Sequence, residues 1–190
     1  MAQGLGVTLR RAAALVLILV AGAAATPGHA LAAGTTVSPE DALESALVSQ
    51  INQVRTAHGL RPVRAASRLG KAADRHSSSL ALVGYFRHEL FTPLRATNWT
   101  SYSHWIHWYW PGPGYTSWSA GENLAWGGTG LGAREIVRMW MNSAGHRANL
   151  LARGWRNIGV SAVRVFLPLG YFAGQTEVTI VVAEFGRRSA

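Results

Sequence analysis

Residues 176–185, TEVTIVVAEF, constrain this chain more than any other stretch. Apolar side chains fall on both alternating faces, so a strand formed here has no face to give to water and belongs in the middle of a sheet. A second run, with Ile158, Val160 and Ala162, alternates as a strand does, and the short link 168–174, bounded by Pro168 and Gly174, joins the two as a hairpin. Such a sheet needs cover, and three upstream segments carry helical periodicity. In the first, Ser38-Pro39-Glu40-Asp41 reads as an N-cap, a first-turn proline and an acidic third position; Leu43, Ala46, Leu47, Ile51 and Val54 then recur at three and four until His58-Gly59 closes the helix. The second, 67–83, places Leu69, Ala72, Ala73, His76, Leu80 and Val83 on one stripe. The third, 133–144, turns Ile136, Val137, Trp140 and Ala144 inward and stops at Gly145, so that His146 emerges past the helix end. Helix, helix, irregular middle, helix, strand, strand is the order of an α+β layer fold with helices covering an antiparallel sheet.

The N-terminus reads as a targeting segment. Arg10 and Arg11 precede an uncharged run, 12–25, too short to span a bilayer comfortably, and Ala30-Leu31-Ala32 offers an Ala-x-Ala cleavage site. The expectation is a secretory signal peptide over 1–32, a linker over 33–37 and one domain over 38–187, with secretion to the extracellular space. An uncleaved anchor is the alternative, and a twin-arginine route rests on two residues alone. Cysteine is absent, so packing and hydrogen bonds must stabilise the exported domain, and thiolate metal sites and cysteine nucleophiles are excluded.

Without Arg10 and Arg11, 16 basic residues face 9 acidic ones, a balance of +7. That charge favours contact with anionic cell-wall polymers or a membrane surface. The arginines are scattered along the chain, however, without the dense run of a specific nucleic-acid site, so a solvated surface is the plainer expectation.

Residues 99–118 hold five tryptophans and three tyrosines. Trp99, Trp105, Trp108 and Trp110 could offer a contact surface for sugar or lipid, or the rings could pack a long loop onto the body; composition leaves both open. His104 and His107, three apart, are a weak metal signal for want of an adjacent carboxylate. Gly121-Glu122-Asn123 sets a carboxylate beside an amide and reads as a tight turn; paired with a histidine, Glu122 would stay ionised and orient the ring. His76, on the apolar stripe of the second helix, reads as a core histidine bonded to a neighbour.

Taken in order, KAADRHSSSLA, YFRH, AGENLAWG, WMNSAGHRANLL and IGV resemble the motifs of the CAP superfamily, or SCP domain, in its cysteine-free bacterial branch. The resemblance covers roughly 38–186 and implies a three-layer α-β-α sandwich. It also implies a central cleft of two histidines and two acidic residues able to bind a divalent cation, zinc in particular. By position the cleft residues are His88, Glu122, Ser143 and His146, with His88, Glu122 and His146 as metal ligands. Ser143 stands where eukaryotic members carry the second acid, and His76 or Glu89 would be the replacement. The family implies an extracellular ligand, whether lipid, glycan or protein, and no dedicated enzymatic activity. A hydrolase, metal-assisted or with Ser143 as nucleophile, is the alternative, although no Gly-x-Ser-x-Gly elbow or His-Glu-x-x-His pair occurs.

Overall fold

A computed structural model describes residues 34–93 and 99–190; the expected signal peptide lies outside them. The elements are β1 (Thr36–Pro39), α1 (Asp41–Ala57), β2 (Arg64–Ala65), α2 (Ser67–Val83), β3 (Leu90–Phe91), β4 (Trp99–Thr100), α3 (Tyr102–Trp105), β5 (Ser117–Gly127), α4 (Ala133–Asn142), α5 (Ala144–Leu150), β6 (Asn157–Phe166) and β7 (Glu177–Ser189). The main sheet runs β1-β6-β7-β5, all antiparallel, with β2 added parallel to β6. The strand predicted to be central is β7, bounded by β6 and β5.

Each face of that sheet has its own cover. Leu47 and Ile51 of α1 and Ile136, Val137 and Trp140 of α4 pack with Val181, Ala183 and Phe185 on one side. Leu80 and Ala81 of α2 pack with Val178, Ile180 and Val182 on the other, and Leu69, Ala72, Trp105 and Trp110 extend that layer. The three-layer α-β-α sandwich is therefore what the alternation of β7 requires: odd residues feed one core, even residues the other.

Close approach fixes how α2 lies on the sheet. A Cβ at Gly159 would sit 2.1 Å from the carbonyl carbon of Leu69, so helix backbone and strand backbone meet where any side chain would intrude. The glycine of the IGV motif is thus a packing requirement. Arg55 supports the opposite layer: fully buried, it donates to the carbonyls of Leu150 at 2.6 Å and Ala152 at 3.2 Å, tying α1 to the end of α5. A cation there also suits the carbonyl end of a helix.

Three local expectations are corrected. The end of the expected linker, Thr36 and Val37, and the cap at Ser38 give way to β1, whose Val37, Ser38 and Pro39 pair with Val165, Arg164 and Val163; α1 starts only at Asp41, after Glu40. The edge position tolerates Pro39, and sheet pairing outweighs the local capping signal. The middle is less irregular than expected, because residues 117–127 form an eleven-residue strand. Third, α4 ends at Asn142, and a new helix, α5, begins after Ser143 and contains Gly145 and His146. Ser143 is extended, with φ −99° and ψ 124°, so the chain turns at the serine instead of stopping at the glycine.

Candidate functional site

Glu122 and Glu184 lie directly opposite each other on β5 and β7, facing the α2 layer. Glu122 is therefore on a strand, not in the tight turn expected of the Gly-Glu-Asn triplet; the neighbouring β7 supplies the pairing that local sequence could not show. His76 of α2 meets it from above, with Nδ1 2.5 Å from Oε2 of Glu122. His88, in the loop after α2, places its Nδ1 2.6 Å from the other oxygen, Oε1. Both carboxylate oxygens thus accept from an imidazole Nδ1–H, which fixes both tautomers and leaves Nε2 as the second nitrogen of each ring. Phe86 and Arg87 hold this loop through ring stacking on Tyr171 and a guanidinium over Trp99.

The electrostatics divide the two carboxyls. Burial by itself would raise Glu122, but the electrostatic effect of the adjacent His76 and the hydrogen bonds donated by His76 and His88 bring it below the usual carboxylate range. Burial, reinforced by the charge on Glu122, holds Glu184 well above that range. Glu184 is consequently the protonated member. Tyr102 donates to its Oε2 at 2.8 Å, and the carboxyl proton can be donated to the Glu122 carboxylate, so protonation removes the charge without breaking the Tyr102 bond. The Tyr102 hydroxyl is itself pushed up by burial and by the adjacent Glu184. The hydrogen bond that His88 donates to Glu122 raises His88, which is half exposed. Burial, and then the charge of His88, lowers His146.

β5 is an edge strand, and the cleft straddles its free edge. His88 and Tyr102 stand on the α2 side; Ser143, Gly145, His146 and Asn149 stand on the α5 side, around an open volume of about 510 Å³ floored by residues 121–123. Asn123 is fully buried and anchors α5: its Nδ2 donates to the carbonyl of His146 at 3.0 Å and its Oδ1 accepts from Asn149 at 3.0 Å. A Cβ at Gly121 would collide with Oδ1 of Asn149, which explains the glycine of the triplet.

All four predicted cleft residues, His88, Glu122, Ser143 and His146, line this space. The predicted ligand trio does not assemble as such. Among the described residues, the group whose ligand atoms all lie within 4.8 Å of one another, and which could hold a metal ion, is His76, Glu122 and Glu184. Glu122 is engaged with two histidines and acts on the cleft through His88. His76 is the bonded core histidine expected. Glu89 does not join the group, although its charge helps raise His88.

The aromatic segment sends its rings inward. Trp105 and Trp110 are fully buried and Trp99 is half-buried, so they do not form the contact surface considered above; of the four, Trp108 is exposed. Trp105 donates to the carbonyl of His88 at 3.0 Å and lies 5.0 Å from the His76 ring. His107 stacks on Trp118 and His104 meets Trp108 edge-on, both away from the cleft. Sequence reasoning missed Glu184 and Tyr102. The available signal for Glu184 was a carboxylate two residues before Gly186 inside the otherwise apolar run 180–185; Tyr102 was one of many aromatics and carried none.

Comparison with known proteins agrees with this architecture. The family model described as "CAP: Cysteine-rich secretory protein family" matches residues 48–166. The uncharacterized protein YkwD of Bacillus subtilis (strain 168) is 31% identical over 131 residues, 68% of this chain and 46% of that protein, so the chain spans about half the length of this curated relative. Among solved structures, an outer surface protein from Borrelia burgdorferi aligns with a TM-score of 0.57 at 23% identity, over 76% of this chain and 92% of that one. An extracellular protein containing an SCP domain from Bacillus anthracis str. Ames aligns with a TM-score of 0.55 at 21% identity, over 78% and 41%. At these identities the structural likeness is one of fold.

Proposed function

This chain belongs to the cysteine-rich secretory protein (CAP) family, and we propose that it is an extracellular binding protein that takes its ligand in the cleft over the free edge of β5, against His88 and His146. The observation that carries this reading is the double acceptance at Glu122. A buried carboxylate that fixes one imidazole in the core and a second at the cleft wall leaves a pre-oriented Nε2 where a ligand arrives. The extracellular setting is supported by the names of two similar structures, an outer surface protein and an extracellular protein, and by the targeting pattern in residues 1–32.

The donor set also suits a divalent cation of the zinc class. Two imidazoles facing one cleft, with a carboxylate behind the first, match the usual preference of zinc for nitrogen ligands backed by an oxygen acceptor. His88 and His146 would hold the ion, Glu122 would orient His88, and the ion would supply Lewis-acid polarisation of whatever oxygen the ligand brings. A serine-nucleophile reading gains nothing: among the described residues no hydrogen bond joins Ser143 to His146.

Calorimetric titration of zinc into metal-stripped protein, with His88→Ala and His146→Ala in parallel, tests the assignment. One-to-one binding lost in both variants is the expected result, and it should weaken as pH falls through the raised pKa of His88, because protonation occupies Nε2. Stoichiometric binding retained in both variants would remove the metal from this cleft. Turnover of a peptide or ester library that disappears in a folded Glu122→Gln variant would replace the binding role with hydrolysis.

A further inference from the structure

Six arginines scattered in sequence gather at one end of the sheet, and we infer that they form a docking surface for a linear, phosphate-bearing polyanion. Their positions follow from direct contacts. Arg64 donates its backbone N–H to the carbonyl of Arg156 at 3.0 Å, and the backbone N–H of Arg156 donates to the carbonyl of Gly186 at 3.0 Å, next to Arg187. Gly154, which follows Arg153, lies so near that a Cβ there would sit 3.3 Å from Cδ of Arg187. Around the strand end, Arg188 donates to the carbonyl of Pro111. The next residue, Gly112, would place a Cβ 2.7 Å from Nε of Arg68, which itself donates to the carbonyl of Tyr109 at 3.1 Å. The path Arg64, Arg156, Arg153, Arg187, Arg188, Arg68 is continuous and wraps both faces of the sheet end.

This charge is uncompensated. Among the described residues the arginine ion pairs are Arg138 with Glu135, and Arg164 with Glu40 and Glu177, all elsewhere. Members of the path donate instead to neutral oxygens, Arg156 to the carbonyls of Arg153, Gly154 and Trp155, and Arg187 to Oγ of Ser119. No aspartate or glutamate occurs in residues 60–70, 109–119, 143–158 or 185–190, the segments that build the surface. Part of it is also pre-ordered: the Arg188 guanidinium lies 4.3 Å from the Trp110 ring and 4.1 Å from the Tyr115 ring, so less freedom is lost when an anion arrives.

The form of the patch selects the partner. A small anion would meet one or two guanidiniums, whereas a repeated phosphate chain can follow the whole path. Nucleobases need free aromatic faces, but Arg188 occupies one face of the Tyr115 ring and Trp118 is stacked on His107 at 5.2 Å. A bilayer would be expected to take up aliphatic side chains, and the large ones exposed among the described residues, Leu82, Met139 and Leu167, lie outside the segments that build the surface.

The test is binding of long-chain inorganic polyphosphate, measured by fluorescence anisotropy or calorimetry as a function of salt. With about four phosphates engaged, affinity should fall roughly 50-fold between about 50 and 200 mM salt. Arg156→Glu/Arg187→Glu should lose binding by tenfold or more and flatten the salt dependence. Arg134→Glu/Arg138→Glu, an equal charge change on exposed positions of α4, should not, with melting curves confirming that both fold. Equal losses in the two variants would overturn the proposal in favour of net charge alone. So would absence of binding at low salt, binding to phosphatidylglycerol vesicles without binding to polyphosphate, or a tenfold preference for single-stranded DNA.

Discussion

Replacing Glu184 by glutamine should stabilise the protein, and increasingly so as pH rises. Glu184 is fully buried, and burial with the neighbouring Glu122 charge holds its carboxyl well above the ordinary range, so it folds as a neutral acid. An acid whose pKa is raised on folding contributes its full stability below its unfolded pKa, about 4.3, and loses it as pH rises towards the folded value. Across that window the loss is about 1.4 kcal/mol per pH unit, the free energy of one unit of pKa difference. For a domain of this size that amounts to about 3–6 °C in Tm per pH unit. Glutamine imitates the protonated side chain: its carbonyl can accept from Tyr102 at the place of Oε2, 2.8 Å from the hydroxyl, and its amide can face Glu122 where the proton sat. It has no proton to hold, so the penalty disappears. Thermal unfolding of both proteins at a series of pH values above about 4.3 would show the glutamine variant gaining on the parent until the folded pKa of Glu184 is passed. Parallel curves, or a widening gap in favour of glutamate, would refute the assignment of the proton to Glu184 and with it the division of labour between the two carboxyls.

Two further outcomes follow from the same geometry. Glu122→Gln should lower the pKa of His88, read by NMR titration, because the Glu122 hydrogen bond raises it. The associated stability, present below about pH 6.5 and lost as pH rises through the raised value, should shrink, by little since His88 is half exposed and screened; an unchanged His88 titration would show that another group sets it. Gly159→Ala should cost about 3 kcal/mol or more in chemical denaturation, since its Cβ would enter the backbone of Leu69 and Gly70. Gly70→Ala, on the same helix with nothing within 4 Å, should instead stabilise by about 0.5–1 kcal/mol; similar effects at both glycines would contradict the close packing of α2 on β6.

The layer order was legible because periodicity is a local property. Leu47 and Ile51, Leu69 to Leu80, and Ile136 to Trp140 announce which helix faces are covered, and the alternation of 176–185 announces a strand covered on both sides. The motifs around His88, Glu122, Ser143 and His146 likewise marked the residues that line the cleft. What sequence could not supply was pairing between distant segments. Residues 117–127 contain glycine, serine and glutamate and look like loop until β7 lies beside them, and Ser38-Pro39 looks like a helix start until β6 does. The same long-range pairing sets Glu184 opposite Glu122 and so decides which carboxyl is charged, and it places Glu122 where it accepts from both His76 and His88. It also brings together arginines that are up to 124 positions apart, from Arg64 to Arg188. Charge and hydrogen bonding act through space over a few ångströms, so their partners are fixed by the sheet register and not by neighbours along the chain.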